Sequence, residues 1–377
     1  MTGQTPFEAL AAASHPAWEL PPLREGVMIV RFLTRQHDTF IGIDLEGRAL
    51  RAAQLVRSGS RWSLTAALAL PRMTADAIPG RAEVGQLAGS LDRMGFRGRR
   101  VVLGVPEEKI LTGVLELPPK TSGAPLQEIA RSELATMHGY DPQMAESVCW
   151  DLPVSTRRGS TQAMGVACRH ADAETVLEAF DHCGLDVVAL DSRLHAVTRA
   201  CAGVLPQASI TALLDLEWNR TMLLLMYQGT VIYKRTVTDQ SLQQLAKGLM
   251  QGLDIEEDSV LYLLAEVGLA PQSADYAGQA ETIRPLVTKY LDSVVASLQS
   301  PFAYATSQYA GTTLDSLLLV GHGAAMPGVC EHLQPRLGVN VRVVRPADMA
   351  RCPPSLGGKA QDPSLAVAIG LARFRDE

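Results

Sequence analysis

Twice in this 377-residue chain a hydrophobic strand runs into an aspartate, breaks over a short polar turn and returns as a second apolar strand. The first copy reads Gly42-Ile43-Asp44-Leu45-Glu46-Gly47 and the second Leu213-Leu214-Asp215-Leu216-Glu217-Trp218. A pattern repeated in this way is most simply produced by two related lobes. The length agrees, since roughly 150 residues per domain allows two or three units with separate buried cores.

Around each copy the hydrophobic periodicity predicts a strand meander. In the first, strands fall at residues 27–33, 39–44, 51–56 and 62–70, followed by a helix at 82–94 and a buried strand at 100–105. In the second they fall at 210–215, 221–227 and 231–236, followed by helices at 241–253, 256–267 and 282–297. A strand at 316–320, the turn Gly321-His322-Gly323 and a helix at 364–373 close the chain. Between the copies, strands at 110–117, 148–152 and 163–168 with helices at 126–137 and 173–183 form a self-contained unit; a further helix at 193–202 leads into the second copy. The expected organisation is a loosely ordered tail (1–25), a first lobe (26–106 and 187–206), an inserted α+β domain (107–186) and a second lobe (207–377) carrying a helical subdomain at about 237–290. The fold class is α/β, two-lobed, with a small α+β insert in the first lobe.

Charge and hydropathy exclude several functions. Lys and Arg total 34 against 40 Asp and Glu, a net charge of -6 that offers no overall attraction to a nucleic-acid backbone. No apolar run reaches the ~18 residues that cross a bilayer, so no direct membrane insertion is expected. The first 20 residues carry Glu8 and Glu19 and no basic region, unlike a signal peptide, which points to the cytoplasm. The six cysteines contain no Cys-x-x-Cys pair and read as reduced packing residues, with neither a metal site nor a disulfide framework.

A strand ending in Asp-x-Gly, present twice, with a late strand ending in a glycine turn, is how the architecture shared by actin, heat-shock chaperones and sugar kinases grips a nucleotide between two lobes. Tight hairpins expose backbone N–H groups to phosphate, the aspartates hold hydrated Mg²⁺, and the late glycines let adenosine approach the backbone. Asp44, Asp215, Thr221, Gly321 and Gly323 are the candidate remnants of such a site. Where the glycine two residues after each aspartate is expected, this chain has Glu46 and Glu217. A unit charge facing another at about 4 Å costs roughly 4 kcal/mol at an effective dielectric of 20, and a polyphosphate carries several charges. The two glutamates therefore predict a degraded pocket with no catalytic residues, although ATP and Mg²⁺ binding stays possible.

The chain resembles the PilM family, actin-like and FtsA-related assembly proteins of type IV pilus and type II secretion inner-membrane platforms. The resemblance rests on residues in order: Gly42-Ile43-Asp44-Leu45, Val114-Leu115-Glu116-Leu117-Pro118, Glu128-Ile129-Ala130, Trp150-Asp151, Cys183-Gly184-Leu185, Leu319-Val320-Gly321-His322-Gly323 and Ala366-Val367-Ala368-Ile369-Gly370. It covers roughly residues 39–373 and implies an actin-like (ribonuclease H-like) fold with an FtsA 1C-like insert. It also implies a cytoplasmic scaffold at the inner face of the inner membrane, recruited by the N-terminal cytoplasmic peptide of a PilN-like membrane protein. The implied groove lies between the first lobe and the insert, around residues 100–105 and 126–168. The competing reading is an active Mg-ATP-dependent ATPase or small-molecule kinase of the same fold.

Other motifs have plainer explanations. His322 has no Ser or Cys nucleophile motif beside it and reads as a turn histidine. Gly357-Gly358-Lys359 has Pro353 and Ala360 where a phosphate loop needs Gly and Ser or Thr, and reads as a flexible loop. His182 is expected at a helix end, where its charge favours the dipole.

Overall fold

The computed structural model describes residues 40–374, apart from 46, 75, 154–160, 207, 271–276 and 310. The tail at 1–25, the expected strand at 27–33 and Glu46 lie outside the described residues.

Strands β1 (Ile41–Asp44), β2 (Ala49–Ser58) and β3 (Arg61–Pro71) form an antiparallel meander, and helix α1 (Arg81–Arg93) leads to β4 (Arg100–Val105). Then come β5 (Ile110–Leu117), α2 (Leu126–His138), β6 (Ala145–Asp151), β7 (Thr161–Arg169) and α3 (His170–Ala179), before β8 (Asp186–Ser192) and α4 (Arg193–Cys201). The second copy supplies β9 (Ile210–Leu216), β10 (Thr221–Tyr227), β11 (Thr230–Val237) and helices α5 (Leu242–Leu253), α6 (Glu257–Glu266) and α7 (Ala277–Gln308). The chain continues through β12 (Leu314–Val320), α8 (Val329–Leu337), β13 (Asn340–Val343), α9 (Pro346–Met349) and α10 (Ala366–Ala372).

The repeat read from sequence extends to whole sheets. One has the order β3-β2-β1-β4-β8 and the other β11-β10-β9-β12-β13. In both, three antiparallel strands are followed by two parallel ones. Parallel neighbours need a crossover connection. The second copy uses α8 between β12 and β13, whereas the first spends residues 106–185 between β4 and β8 on a third sheet, β5-β7-β6, backed by α2.

Helix α10 is buried along its whole length, and Val367, Ile369 and Leu371 each contribute about 1.5–3 kcal/mol by leaving water. It lies directly on β1 and α4: a Cβ on Gly42 would stand 2.1 Å from the carbonyl oxygen of Ala368, and one on Gly370 would stand 1.7 Å from that of Ala196. Only glycine permits these backbone approaches. The same cluster of side chains joins α4 and α10 to Leu213, Leu224 and Leu318 of the second sheet, so the lobes share a core.

Three differences from the sequence reading have physical causes. Helix α7 runs to Gln308, past the expected end at 297, with Pro285 and Pro301 inside it; burial of its apolar face in the core, from Ile283 to Ala305, offsets the backbone hydrogen bonds that the prolines remove. Gly357-Gly358-Lys359, expected to be a flexible loop, lies within consecutive 3₁₀ turns over Pro354–Gln361, with non-helical backbone at Gly357. The 173–183 helix starts earlier and ends at Ala179, so His182, at φ 59°, stands beyond it.

Candidate functional site

Asp44 closes β1 and Asp215 lies near the end of β9, which brings the two aspartates face to face across the lobes. Arg193, the first residue of α4, reaches both. Its Nη1 lies 2.9 and 3.0 Å from the two carboxylate oxygens of Asp44, and its Nε lies 2.6 Å from Oδ2 of Asp215. Its Nη2 pairs with Glu217 at 3.4 Å. Ser192 fixes the start of α4 by accepting a hydrogen bond from the His195 backbone N–H at 3.2 Å, aiming Arg193 into the cleft.

Arg51 adds a second guanidinium. It lies opposite Asp44 in the β1–β2 ladder, with Nη1 at 3.8 Å from Asp44 and Nη2 at 3.4 Å from Glu217. All five residues are at most 3% exposed. Three carboxylates face two guanidinium groups, and burial raises the Glu217 pKa against the opposing pull of Arg51 and Arg193. Burial alone would depress Arg51, but Glu217 and Asp44 outweigh it and hold the guanidinium more firmly charged. Charges this deep are tolerated because each is compensated nearby.

The hairpins that follow the two aspartates touch. A Cβ on Gly47, whose φ is +80°, would lie 3.1 Å from a Glu217 oxygen and 3.6 Å from Trp218. Arg48 lies over the Trp218 ring at 5.4 Å and pairs with Glu257 and Asp258 of α6 at 2.7 and 3.0 Å. The Gly321 turn rests on the end of β9, with room for no side chain: a Cβ there would be 2.5 Å from Asp215 Oδ1, and one on Gly323 would be 2.8 Å from Leu216. Thr221 is buried and donates its hydroxyl to the Gln240 carbonyl at 2.5 Å, a bond directed to the α5 side of the hairpin. His322 is pushed down to about 4 by burial and by Arg51 and Arg48, against Asp362, and is therefore neutral near pH 7. The cavity beside this turn, lined by Leu242, His322 and Met326, measures about 30 Å³.

Thus the structure brings Asp44, Asp215, Glu217 and Gly321 together, while Thr221 turns to a backbone partner. The sequence reading missed Arg51 and Arg193. The signal available for Arg51 was its place in β2 opposite an aspartate-ending strand; Arg193 carried none.

A second feature is a groove of about 310 Å³. Strand β6 supplies a continuous wall from Glu146 to Asp151; Leu190 and Asp191 of β8, His195 of α4, the β10–β11 turn at Gly229 and Phe374 complete it. Both β6 and β8 are edge strands of their sheets. Trp150 crosses the groove, donating from Nε1 to the Val231 carbonyl at 3.1 Å and packing edge-on against the His195 ring at 5.1 Å. Residues 100–105 do not line this groove: β4 pairs with β1 on one side and β8 on the other, and has no free edge. The groove contains two cysteines, Cys149 and Cys168; burial pushes the Cys168 thiol up to about 12, leaving it unreactive.

No group of three or more His, Cys, Asp or Glu able to hold a metal ion exists among the described residues, and no described helix is long and apolar enough to cross a membrane.

Comparison with known proteins matches the family model described as type IV pilus assembly protein PilM over residues 42–375. Among solved structures, the PilM-PilN type IV pilus biogenesis complex matches with a TM-score of 0.71 at 20% identity, covering 89% of this chain and 97% of that chain. Weaker likenesses include the ethanolamine utilization protein EutJ from Carboxydothermus hydrogenoformans (TM-score 0.49, 14% identity, 89% of each chain). MreB5 of Spiroplasma citri bound to ADP is another (0.49, 11%, covering 89% and 96%). Structural likeness at such identities speaks for the fold alone. The two like-ordered sheets and a family model spanning nearly every described residue lead to one conclusion: the chain belongs to the type IV pilus assembly protein PilM family and has a two-lobed actin-like fold.

Proposed function

We propose that this protein is a cytoplasmic scaffold at the inner face of the inner membrane, in a type IV pilus or type II secretion-like assembly platform. It binds the cytoplasmic N-terminal peptide of a PilN-like membrane protein and does so without nucleotide. The observation that carries the reading is the groove along β6. An extended peptide adds to an exposed sheet edge through main-chain hydrogen bonds, while pockets for alternate side chains supply specificity. The groove combines such an edge with apolar walls at Val148, Trp150 and Leu190. The solved relative is a complex with PilN, which supports the choice of partner.

The residues at the lobe junction do not fit a magnesium–nucleotide complex. The oxygens that would face the ion are engaged by Arg193, whose positive charge opposes a divalent cation. The cavity of about 30 Å³ beside the glycine turn is far below the ~300 Å³ at which small-molecule pockets begin. The candidate remnants, Asp44, Asp215, Thr221, Gly321 and Gly323, serve on this reading as structural parts of a closed junction. The proposed division into two lobes and an insert at 107–186 places the groove between insert and lobes.

Calorimetric titration of the purified protein with the cytoplasmic peptide of the neighbouring PilN-like protein tests the proposal. Saturable binding that is unchanged by Mg-ATP is expected. Absence of binding, or binding that appears only with Mg-ATP, refutes it.

A further inference from the structure

One end of the first sheet is basic in a chain whose net charge is -6. We propose that this end is a second contact surface of the protein and that its partner is an anionic phospholipid bilayer. The surface lies outside the β6 groove; the choice of a bilayer among anionic partners rests on the membrane-side location proposed above.

The strand registers define this end. Ile41 opens β1, Arg100 opens β4 and Asp186 opens β8, and these three parallel strands start side by side. Ile41 pairs with Gln54 of β2, so residues 55–64 carry the β2–β3 hairpin past the start of β1. The turn between α1 and β4 is held at the same level. Gln54 donates from Nε2 to the Arg97 carbonyl at 2.6 Å and accepts from the Arg97 backbone N–H at 2.8 Å. Asp44 and the lobe junction lie at the other end of β1.

Residues 56–62 and 92–100, which form the hairpin tip and that turn, hold six arginines, no lysine and a single acid, Asp92. Arg57, Arg61, Arg93, Arg97 and Arg99 are exposed, and Arg100 is half-buried over the Phe40 ring at 5.0 Å. Asp92 pairs with Arg99 at 2.9 Å. Two distant segments add to the positive charge. Arg351, also exposed, pairs through its backbone with Trp62 and Leu64 of β3, and Arg373 lies over the Trp62 ring at 5.6 Å. A further acid, Asp186, opens β8 at the opposite edge of the sheet from the hairpin. Since the whole chain is negative, the rest of the molecule is correspondingly acidic. A molecule divided in this way is drawn to an anionic surface by one end and repelled from it elsewhere, which orients it.

Three features favour a bilayer over an acidic protein. The basic residues of the hairpin and turn are all arginines, whose planar, weakly hydrated guanidinium groups match the oxygens of phosphate. Val56 and Met94 stand 42% and 51% exposed among them. Apolar side chains of this kind enter the interfacial layer while the arginines keep their charged heads at the level of the lipid headgroups. Finally, the basic end is continuous with the groove: Arg100 covers Phe40, whose ring meets the Phe374 ring edge-on at 6.4 Å, and Phe374 lines the groove. A membrane-anchored peptide seated there holds the arginines close to the bilayer, where tethering turns a weak surface affinity into an effective one.

The test is co-sedimentation of the full-length protein with vesicles of phosphatidylcholine, pure or containing about one-third phosphatidylglycerol. The wild-type protein is expected to bind the anionic vesicles, to leave the neutral ones in solution, and to be released by about 0.5 M salt, which screens surface charge. The variant Arg57→Glu/Arg61→Glu/Arg97→Glu should bind at least about ten-fold more weakly, and lysine at the same three positions should keep binding within a few-fold of wild type. Melting temperatures check that each variant folds. Reversal of the same number of charges in the second lobe, Arg235→Glu/Lys247→Glu/Lys289→Glu, is expected to leave vesicle binding intact. Equal binding to both kinds of vesicle overturns the proposal, as does undiminished binding of the Arg57/Arg61/Arg97 glutamate variant or an equal loss in the second-lobe variant. Capture by poly-glutamate in preference to the vesicles also overturns it and points to an acidic protein. Calorimetry with the PilN-like peptide separates this inference from the groove: peptide binding without vesicle binding refutes the basic surface and leaves the groove standing, whereas vesicle binding lost specifically in the glutamate variant, with no peptide binding, supports the surface and refutes the partner assignment.

Discussion

Arg193 Nε lies 2.6 Å from Asp215 Oδ2, and the same guanidinium holds both oxygens of Asp44, so one side chain at the start of α4 ties the central strands of both lobes together. A bound ion is free to leave, but an arginine is part of the chain. The junction is therefore closed by the polypeptide itself.

Replacing Arg193 with methionine keeps much of the volume but leaves Asp44 and Asp215 buried without their main counter-charge. Breaking a buried pair in this way costs about 3–5 kcal/mol. Denaturant unfolding should show a loss of that order in the Arg193→Met variant. A loss below about 1 kcal/mol would mean that water already reaches the cluster.

Gly321 sits at φ 84° and ψ 175°, a backbone region open essentially to glycine alone. Gly321→Ala adds about 1–3 kcal/mol of backbone strain and drives a methyl group to 2.5 Å from Asp215 Oδ1. The variant is expected to melt well below the wild type. An unchanged melting temperature would show that the turn has another accessible conformation.

His322 gives the junction a pH dependence of defined sign. Its pKa falls from 6.5 when unfolded to about 4 when folded, so the unfolded chain binds the extra proton between those values. The stabilisation is fully present above pH 6.5 and is lost as pH falls towards 4. Melting curves over this window should fall more steeply for the wild type than for His322→Gln. Parallel slopes would contradict the burial of a neutral imidazole.

Trp150 anchors the groove wall through Val231 and His195. Truncation of a buried aromatic at the centre of an interface commonly costs 2 kcal/mol or more. Trp150→Ala should weaken capture of the PilN-like peptide by about ten-fold or more in a direct binding titration, with the melting temperature as a control for folding. Undiminished affinity would place the peptide elsewhere.

The Asp-ending repeat, the central strands and most helices were legible in the sequence because each depends on neighbours a few residues away. Strands β4, β5 and β10 begin and end where periodicity put them. Helix α8 and strand β13 were missed: both are short, and they are held by packing on α7 and pairing with β12. The chain by itself also determined that aspartates recur at matching places and that a glutamate follows Asp215 in the turn. What happens between them was settled only by the tertiary structure. Arg193 and Asp44 are 149 residues apart, and nothing in local spacing says that an arginine opening α4 will meet both aspartates. From sequence, Glu217 was a bare charge facing a missing phosphate; in the folded molecule it faces Arg51 and Arg193. Periodicity is a local property of the chain, whereas the partner of a buried charge depends on which distant segments the fold brings within about 4 Å, the range at which desolvated charges compensate one another.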